Sequence, residues 1–75
     1  LKAVIKLEED KLHVDLGMRH GIQVNRLATV SGAGSKGSVL RVIEAGDGYS
    51  ILEPLSRQRK LVDLNGKLAT FLEMN

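Results

Sequence analysis

The feature that most constrains this chain is a period of two, in which short runs of alternating apolar and polar residues are separated by glycine or polar turns. Such alternation is typical of β-strands with one buried face, whereas a helix needs apolar residues every three or four positions. Leu12, Val14 and Leu16 show it most clearly, and an alternating run at 2–7 precedes them across a polar turn at 8–11. The two runs predict an antiparallel hairpin.

Further strands are expected at 27–30, 39–44 and 49–53. Gly46-Asp47-Gly48 is a tight turn between the last two, and Pro54 ends the final one because proline cannot donate a ladder hydrogen bond. The stretch 31–38 is rich in glycine and serine and is interpreted as a loop.

The last third of the chain allows two interpretations. Asn65-Gly66 suits a type I′ turn and predicts a hairpin between a strand at 61–64 and a second strand that begins at Lys67. The apolar residues after Lys67 also fall at helical spacing. For 67–74 we favour a strand over a helix.

A turn that contains two glycines lies between the second and third predicted strands. Gly17 and Gly21 are both expected to adopt a positive φ, and Asn25 is the next candidate because asparagine tolerates the left-handed region. The segment contains no acid–base pair and no nucleophile beside a base. We interpret it as geometry rather than chemistry.

The chain has 75 residues, no cysteine, a net charge of +2 and only two aromatic residues, Tyr49 and Phe71. Short strands with glycine turns in so short a chain predict an all-β fold, either a small SH3-like barrel or a curled antiparallel sheet of five to seven short strands. We expect one domain over 1–75 that is part of a longer protein. No apolar run approaches the ~20 residues of a membrane span.

Candidate chemical sites are weak. His13, Asp15 and His20 are too few for a metal site, which needs three or four converging ligands. "GAGSKGS" departs from the phosphate-loop pattern because Lys36 precedes Gly37 and a β-rich segment follows. We therefore expect no metal, no cofactor, no small-molecule substrate and no enzyme activity.

Basic side chains are the candidates for partner contact. Arg57, Arg59 and Lys60 cluster in "LSRQRKL", and Lys36 and Arg26 stand in other loops. The cluster could contact phosphate or an acidic protein surface, or it could only keep a loop soluble.

"KLHVDLGMRHGIQVNRLATV" resembles a recurrent β-motif in which an apolar strand meets Gly, polar residues, then Gly-Val-x-x-Gly-Asp-x-Phe-x-Val. The matching residues are Leu12, Val14, Leu16, Gly17, Gly21, Ile22 and Val30. Asn25 and Arg26 stand where the motif has Gly-Asp, and Ala28 where it has a large apolar residue. The motif is similar to the C-terminal domain of the flagellar assembly protein T family, and "GSVLRVIEAGDGYSILEPLS" extends the likeness.

The resemblance implies a non-catalytic, structural assembly module for flagellum assembly, located in the periplasm in the ring around the flagellar basal body. Its partners would be other protein subunits of that ring, contacted through the loops 31–38 and 56–60. Nucleic acid is not an expected partner.

The alternative comes from "VSGAGSKGSVLRVIEAGDGYSILE", which resembles the KOW motif of ribosomal and transcription-elongation proteins. The matching residues are Gly32, Lys36, Gly37 and Arg41. This resemblance implies a cytoplasmic RNA-binding barrel. The low net charge argues against it, because RNA affinity depends largely on neutralising phosphates.

Overall fold

The computed structural model describes residues 1–31, 38–55 and 60–72. Within them the chain forms seven antiparallel strands and two short 3-10 helices, Met18–His20 and Leu61–Leu64. The strands are β1 (Lys2–Val4), β2 (Lys6–Glu8), β3 (Lys11–Val14), β4 (Leu27–Ser31), β5 (Val39–Ala45), β6 (Ser50–Pro54) and β7 (Leu68–Phe71).

The strands lie in the order β1-β7-β4-β5-β6-β3-β2 in one sheet. Its two terminal strands, β1 and β2, are consecutive in the chain and are separated only by Ile5. One bent stretch of chain therefore supplies both ends of the sheet, which curls into a nearly closed barrel. The predicted all-β class and the small SH3-like barrel are confirmed.

The core is built from the inward-facing positions of the strands, as the alternation predicts. Leu12 and Val14 are both buried on β3, whereas the intervening His13 is only partly covered. The buried cluster comprises Ile5, Leu12, Val14, Ile22, Ala28, Val30, Leu40, Val42, Leu52, Leu64, Ala69 and Phe71. Ile22 and Leu64 lie outside the strands and complete the core from connecting segments.

The predicted first hairpin is confirmed only in part: the predicted strand at 2–7 is split, its first half is β1, which pairs with β7, and only β2 forms the hairpin with β3. β2 and β3 pair antiparallel, and Glu8 stands opposite Lys11. Glu9 and Asp10 between them have φ values of 50° and 63°. Two successive positive φ values define a two-residue type I′ turn, which matches the twist of the strands it joins.

The three middle strands also lie where the alternation places them. β5 and β6 pair across a bulge between Val42 and Glu44, and Pro54 is the last residue of β6. The predicted loop at 31–38 falls largely outside the described residues.

The predicted hairpin at Asn65-Gly66 is wrong. Residues 61–64 form a 3-10 helix, and β7 pairs with β1 and β4, which leaves neither of its edges for a strand at 61–64. Asn65 has φ −62° and ψ 129°, and Gly66 has φ 83°, which are type II turn values. Burial of Leu64 stabilises this arrangement. The prediction of a strand within 67–74 is confirmed for Leu68–Phe71.

Candidate functional site

Two loops meet at one end of the barrel: the connection after β3 and the turn between β5 and β6. The Met18 backbone N–H donates to the Gly46 carbonyl at 2.8 Å, and the Arg19 N–H donates to the Asp47 carbonyl at 3.0 Å. We call the surface formed by residues 17–25 and 43–49 the loop platform. The two main-chain bonds hold its halves together.

Gly17 is the closest point of contact in the loop platform. Its φ is −144°, so the predicted positive φ is wrong. A Cβ at this position would lie 2.3 Å from the Gly46 oxygen and 2.6 Å from the Tyr49 nitrogen. Glycine is required because another backbone occupies the space of a side chain, which period and spacing alone do not reveal.

The remaining turn predictions are confirmed. Gly21 has φ 84° and Asn25 has φ 77°, both in the left-handed region. Asn25 N–H then donates to the Val42 carbonyl at 2.8 Å and returns the chain to the barrel. His20 is exposed, but its Nδ1 accepts the Gly17 N–H at 3.1 Å, which commits one ring nitrogen to the turn.

An ion pair lies across the two loops. Arg19 Nε donates to Asp47 Oδ2 at 3.0 Å, and Nη2 donates to the same oxygen. The two side chains remain 61% and 73% exposed, so water screens the pair and its contribution to stability is small. Its main effect is to orient two opposite charges at the surface.

Tyr49 carries the phenol of the loop platform. Its hydroxyl donates to Glu44 Oε2 at 3.1 Å, and its ring lies against Gly46. The hydrogen bond to Glu44 and the negative charge of that carboxylate raise the pKa of Tyr49 above its ordinary value. The phenol therefore keeps its proton, which it donates to Glu44.

Large apolar side chains project from the same surface. Met18 is 58% exposed and Tyr49 43%, and both lie beside Gly46. Val24 and Ile43 are exposed beside the hydrogen bond between Asn25 and Val42. Tyrosine and methionine are enriched in protein–protein interfaces, where a few rigid anchors supply most of the binding free energy. The arrangement is suited to binding a protein surface.

Sequence reasoning missed Met18 and Tyr49. Each is an apolar side chain in or beside a polar turn, where the alternation of a strand does not require one, and this was the signal that could have identified them. Met18 stands between Gly17 and Arg19, and Tyr49 follows the glycine turn before β6.

Among the predicted contact residues, Arg26 is partly buried and makes its contacts within the domain. Its Nε donates to the Leu72 carbonyl at 3.0 Å and its Nη1 donates to the Gly21 carbonyl at 2.8 Å. Its guanidinium carbon lies 5.9 Å from the centroid of the Phe71 ring. These contacts tie the loop platform to the end of β7.

Of the other predicted contact residues, the structure describes Lys60 alone. Lys60 is exposed immediately before the second 3-10 helix. Lys36, Arg57 and Arg59 lie outside the described residues, so their role as partner contacts stays a prediction.

The residues that resemble the KOW motif are only partly described. Arg41 lies on β5, and its Nη2 donates to Glu53 Oε1 at 2.6 Å, so the cation is already paired. Gly32, Lys36 and Gly37 are outside the described part of the chain.

Metal-binding clusters and membrane-spanning helices are both absent from the residues that the structure describes. No three or more His, Asp or Glu side chains among them come together in a group that could hold a metal ion. No helix among them has the length and apolar character needed to cross a membrane.

Comparison with protein-family models, with curated proteins and with solved structures finds no match for this chain.

Proposed function

We propose that this domain is a non-catalytic assembly module of a bacterial envelope complex, located in the periplasm in the ring around the flagellar basal body. The observation that carries the proposal is the loop platform, a surface held together by two main-chain hydrogen bonds that exposes Met18 and Tyr49. Other protein subunits of the ring are its partners.

The residues behind the family resemblance are those that frame this surface. Val14 and Ile22 are buried on either side of the turn, Gly17 sets its closest contact and Gly21 its left-handed bend. This agreement supports the flagellar hypothesis, because the motif specifies the shape of the loop platform rather than a reactive group.

The loop platform is small, so a single copy binds weakly. A stable pairwise interface buries about 800 Å² on each partner, whereas four apolar side chains and one ion pair cover only part of such an area. In a ring, many copies act together, and effective concentration converts weak contacts into stable assembly. We expect the loop platform to determine which partner the domain binds, and the number of copies in the ring to determine how tightly the assembly holds.

The test is cell fractionation of the source organism, combined with basal-body purification. The domain is detected by antibody in the wild type and in variants that carry Met18→Asp or Tyr49→Asp. We expect the wild type in the periplasm and in the basal-body fraction. Each variant should remain periplasmic but be depleted from basal bodies, because a charge replaces an apolar anchor.

The matched control is Val62→Asp, which places the same charge at a side chain that is 60% exposed on the second 3-10 helix, outside the loop platform. This variant should co-purify like the wild type. Recovery of the wild type in the cytosol with ribosomes would overturn the proposal. Equal depletion of the Val62 variant would show that the platform is not the contact.

A further inference from the structure

The barrel is open on one side of β1. The N–H of Phe71 donates to the Leu1 carbonyl, and the N–H of Ile5 donates to the Lys67 carbonyl, each at 2.8 Å. Backbone groups alternate in direction along a strand, so the odd-numbered residues of this strand face β7. The N–H and C=O groups of Lys2 and Val4 therefore point the other way.

On that other side lies β3, which pairs with β6 along one edge and along the other edge only with β2, the strand that follows β1. Lys6 stands opposite His13 and Glu8 opposite Lys11. β3 ends at Val14, before it comes alongside β1, so the outward backbone groups of Lys2 and Val4 have no hydrogen-bond partner in the described part of the chain. We call these groups the β1 seam.

The neighbouring strand β2 has its free edge covered in a different way. There the N–H of Leu7 donates to the Asn65 side-chain oxygen at 2.9 Å, which occupies the edge of β2. Native proteins commonly cover or charge their sheet edges because unpaired strands recruit other strands. At the β1 seam only charge is present: Lys2 and Lys6 lie on either side of Val4, and Lys6 Nζ already lies 3.9 Å from Asp15 Oδ2.

The side chains around the β1 seam indicate what kind of strand would bind there. Val4 is 54% exposed between the two lysines, and Ala3, which faces inward, is only partly buried. A second copy of β1 would bring Lys2 close to its own counterpart, and like charges oppose that pairing. Because Lys6 is paired with Asp15, an incoming strand with an acidic residue beside Lys2 and an apolar one beside Val4 has the complementary pattern.

We propose that the β1 seam binds an extended segment of a partner protein, which adds to the sheet as a strand beside Lys2–Val4 and carries acidic side chains toward Lys2. The backbone groups of Lys2 and Val4 supply the hydrogen bonds, as in other cases of strand addition. This site is separate from the loop platform and does not depend on the cellular location of the domain.

The probe is a synthetic peptide with blocked ends in which glutamate alternates with valine, added to the isotope-labelled 75-residue chain and followed by NMR. We expect the amide resonances of Lys2 and Val4 to shift, with a Kd of about 1 mM, as suits so few hydrogen bonds. A peptide in which lysine alternates with valine should leave them unchanged.

Val4→Pro removes an N–H that pairs with nothing in the described structure, so the fold should survive while the peptide binds at least about tenfold more weakly. Val4→Thr is the matched control: it keeps the N–H and should bind like the wild type. Lys2→Glu leaves the backbone intact and reverses the charge beside the β1 seam. This variant should bind the lysine peptide more tightly than the glutamate peptide.

Three results would overturn the proposal. The first is absence of shifts at Lys2 and Val4 at several millimolar glutamate peptide. The second is equal binding by the Pro and Thr variants. The third is a shift of the same amides with protein concentration alone, which would assign the seam to a second copy of this chain.

Discussion

Gly17→Ala is the sharpest test of how the loop platform is built. The backbone of Gly17 has φ −144° and ψ −154°, an extended conformation that alanine adopts without strain. The added methyl group, however, would lie 2.3 Å from the Gly46 oxygen and 2.7 Å from the Asp47 oxygen. Both atoms belong to a backbone, so they can move only if the two loops separate.

Separation has a cost that can be worked from the contacts. It releases the hydrogen bonds from Met18 to Gly46 and from Arg19 to Asp47, each worth about 1 kcal/mol net. It also releases the exposed Arg19–Asp47 ion pair, worth at most about 1 kcal/mol. The sum is about 2–3 kcal/mol. For a domain of this size that lowers Tm by roughly 10–20 °C.

The assay is urea unfolding and thermal melting, monitored by circular dichroism, with Gly21→Ala as comparator. Gly21 has φ 84° but open space where a Cβ would stand, so alanine there suffers only backbone strain of about 1 kcal/mol. We expect Gly17→Ala to be the more damaging variant although only Gly21 has the unusual φ. If Gly21→Ala costs more, or Gly17→Ala lies within about 0.5 kcal/mol of the wild type, the packing argument is refuted.

Two further predictions concern side chains near the same end of the barrel. Glu44→Gln should lower the pKa of Tyr49, because it removes the carboxylate whose hydrogen bond and negative charge raise that pKa. Spectrophotometric titration of the single tyrosine measures this, and an unchanged pKa would contradict the contact. Since the folded pKa lies above the unfolded value, this stabilisation is complete below about pH 10 and is lost as pH rises through the folded pKa. Ser50→Ala should lower the free energy of unfolding in urea by about 1–3 kcal/mol, because the buried hydroxyl donates to the Leu16 carbonyl at 2.6 Å. Ser50→Thr is the control because it keeps the donor. An equal loss of stability in both variants would assign the effect to packing.

The strands were predictable because one physical rule governs them. A residue on a strand that faces the core must be apolar and its neighbours need not be, and Leu12 and Val14 display that rule directly in the sequence. The two positive-φ positions at Gly21 and Asn25 were equally accessible, because residue type alone encodes tolerance of the left-handed region.

The failures arose where distant parts of the chain decide the outcome. Asn65-Gly66 has the composition of a type I′ hairpin, but β7 is already paired on both edges and Leu64 is drawn into the core, so a type II turn forms instead. The positive φ predicted for Gly17 is wrong for the same reason. The backbone that excludes a side chain at Gly17 belongs to a turn about 30 residues later in the sequence. A local sequence pattern cannot reveal that two distant segments of the chain come into contact.

One event in the chain accounts for both surfaces proposed for this domain. The register of β2 and β3, continued by two residues, would place Asp15 opposite Val4 and close the barrel. The chain instead leaves β3 after Val14 so that Gly17 can dock against the turn between β5 and β6, and the loop platform forms at the cost of an unpaired β1. A single early departure of β3 supplies a side-chain surface and a backbone edge together, which is an economical way for a domain of this size to carry both.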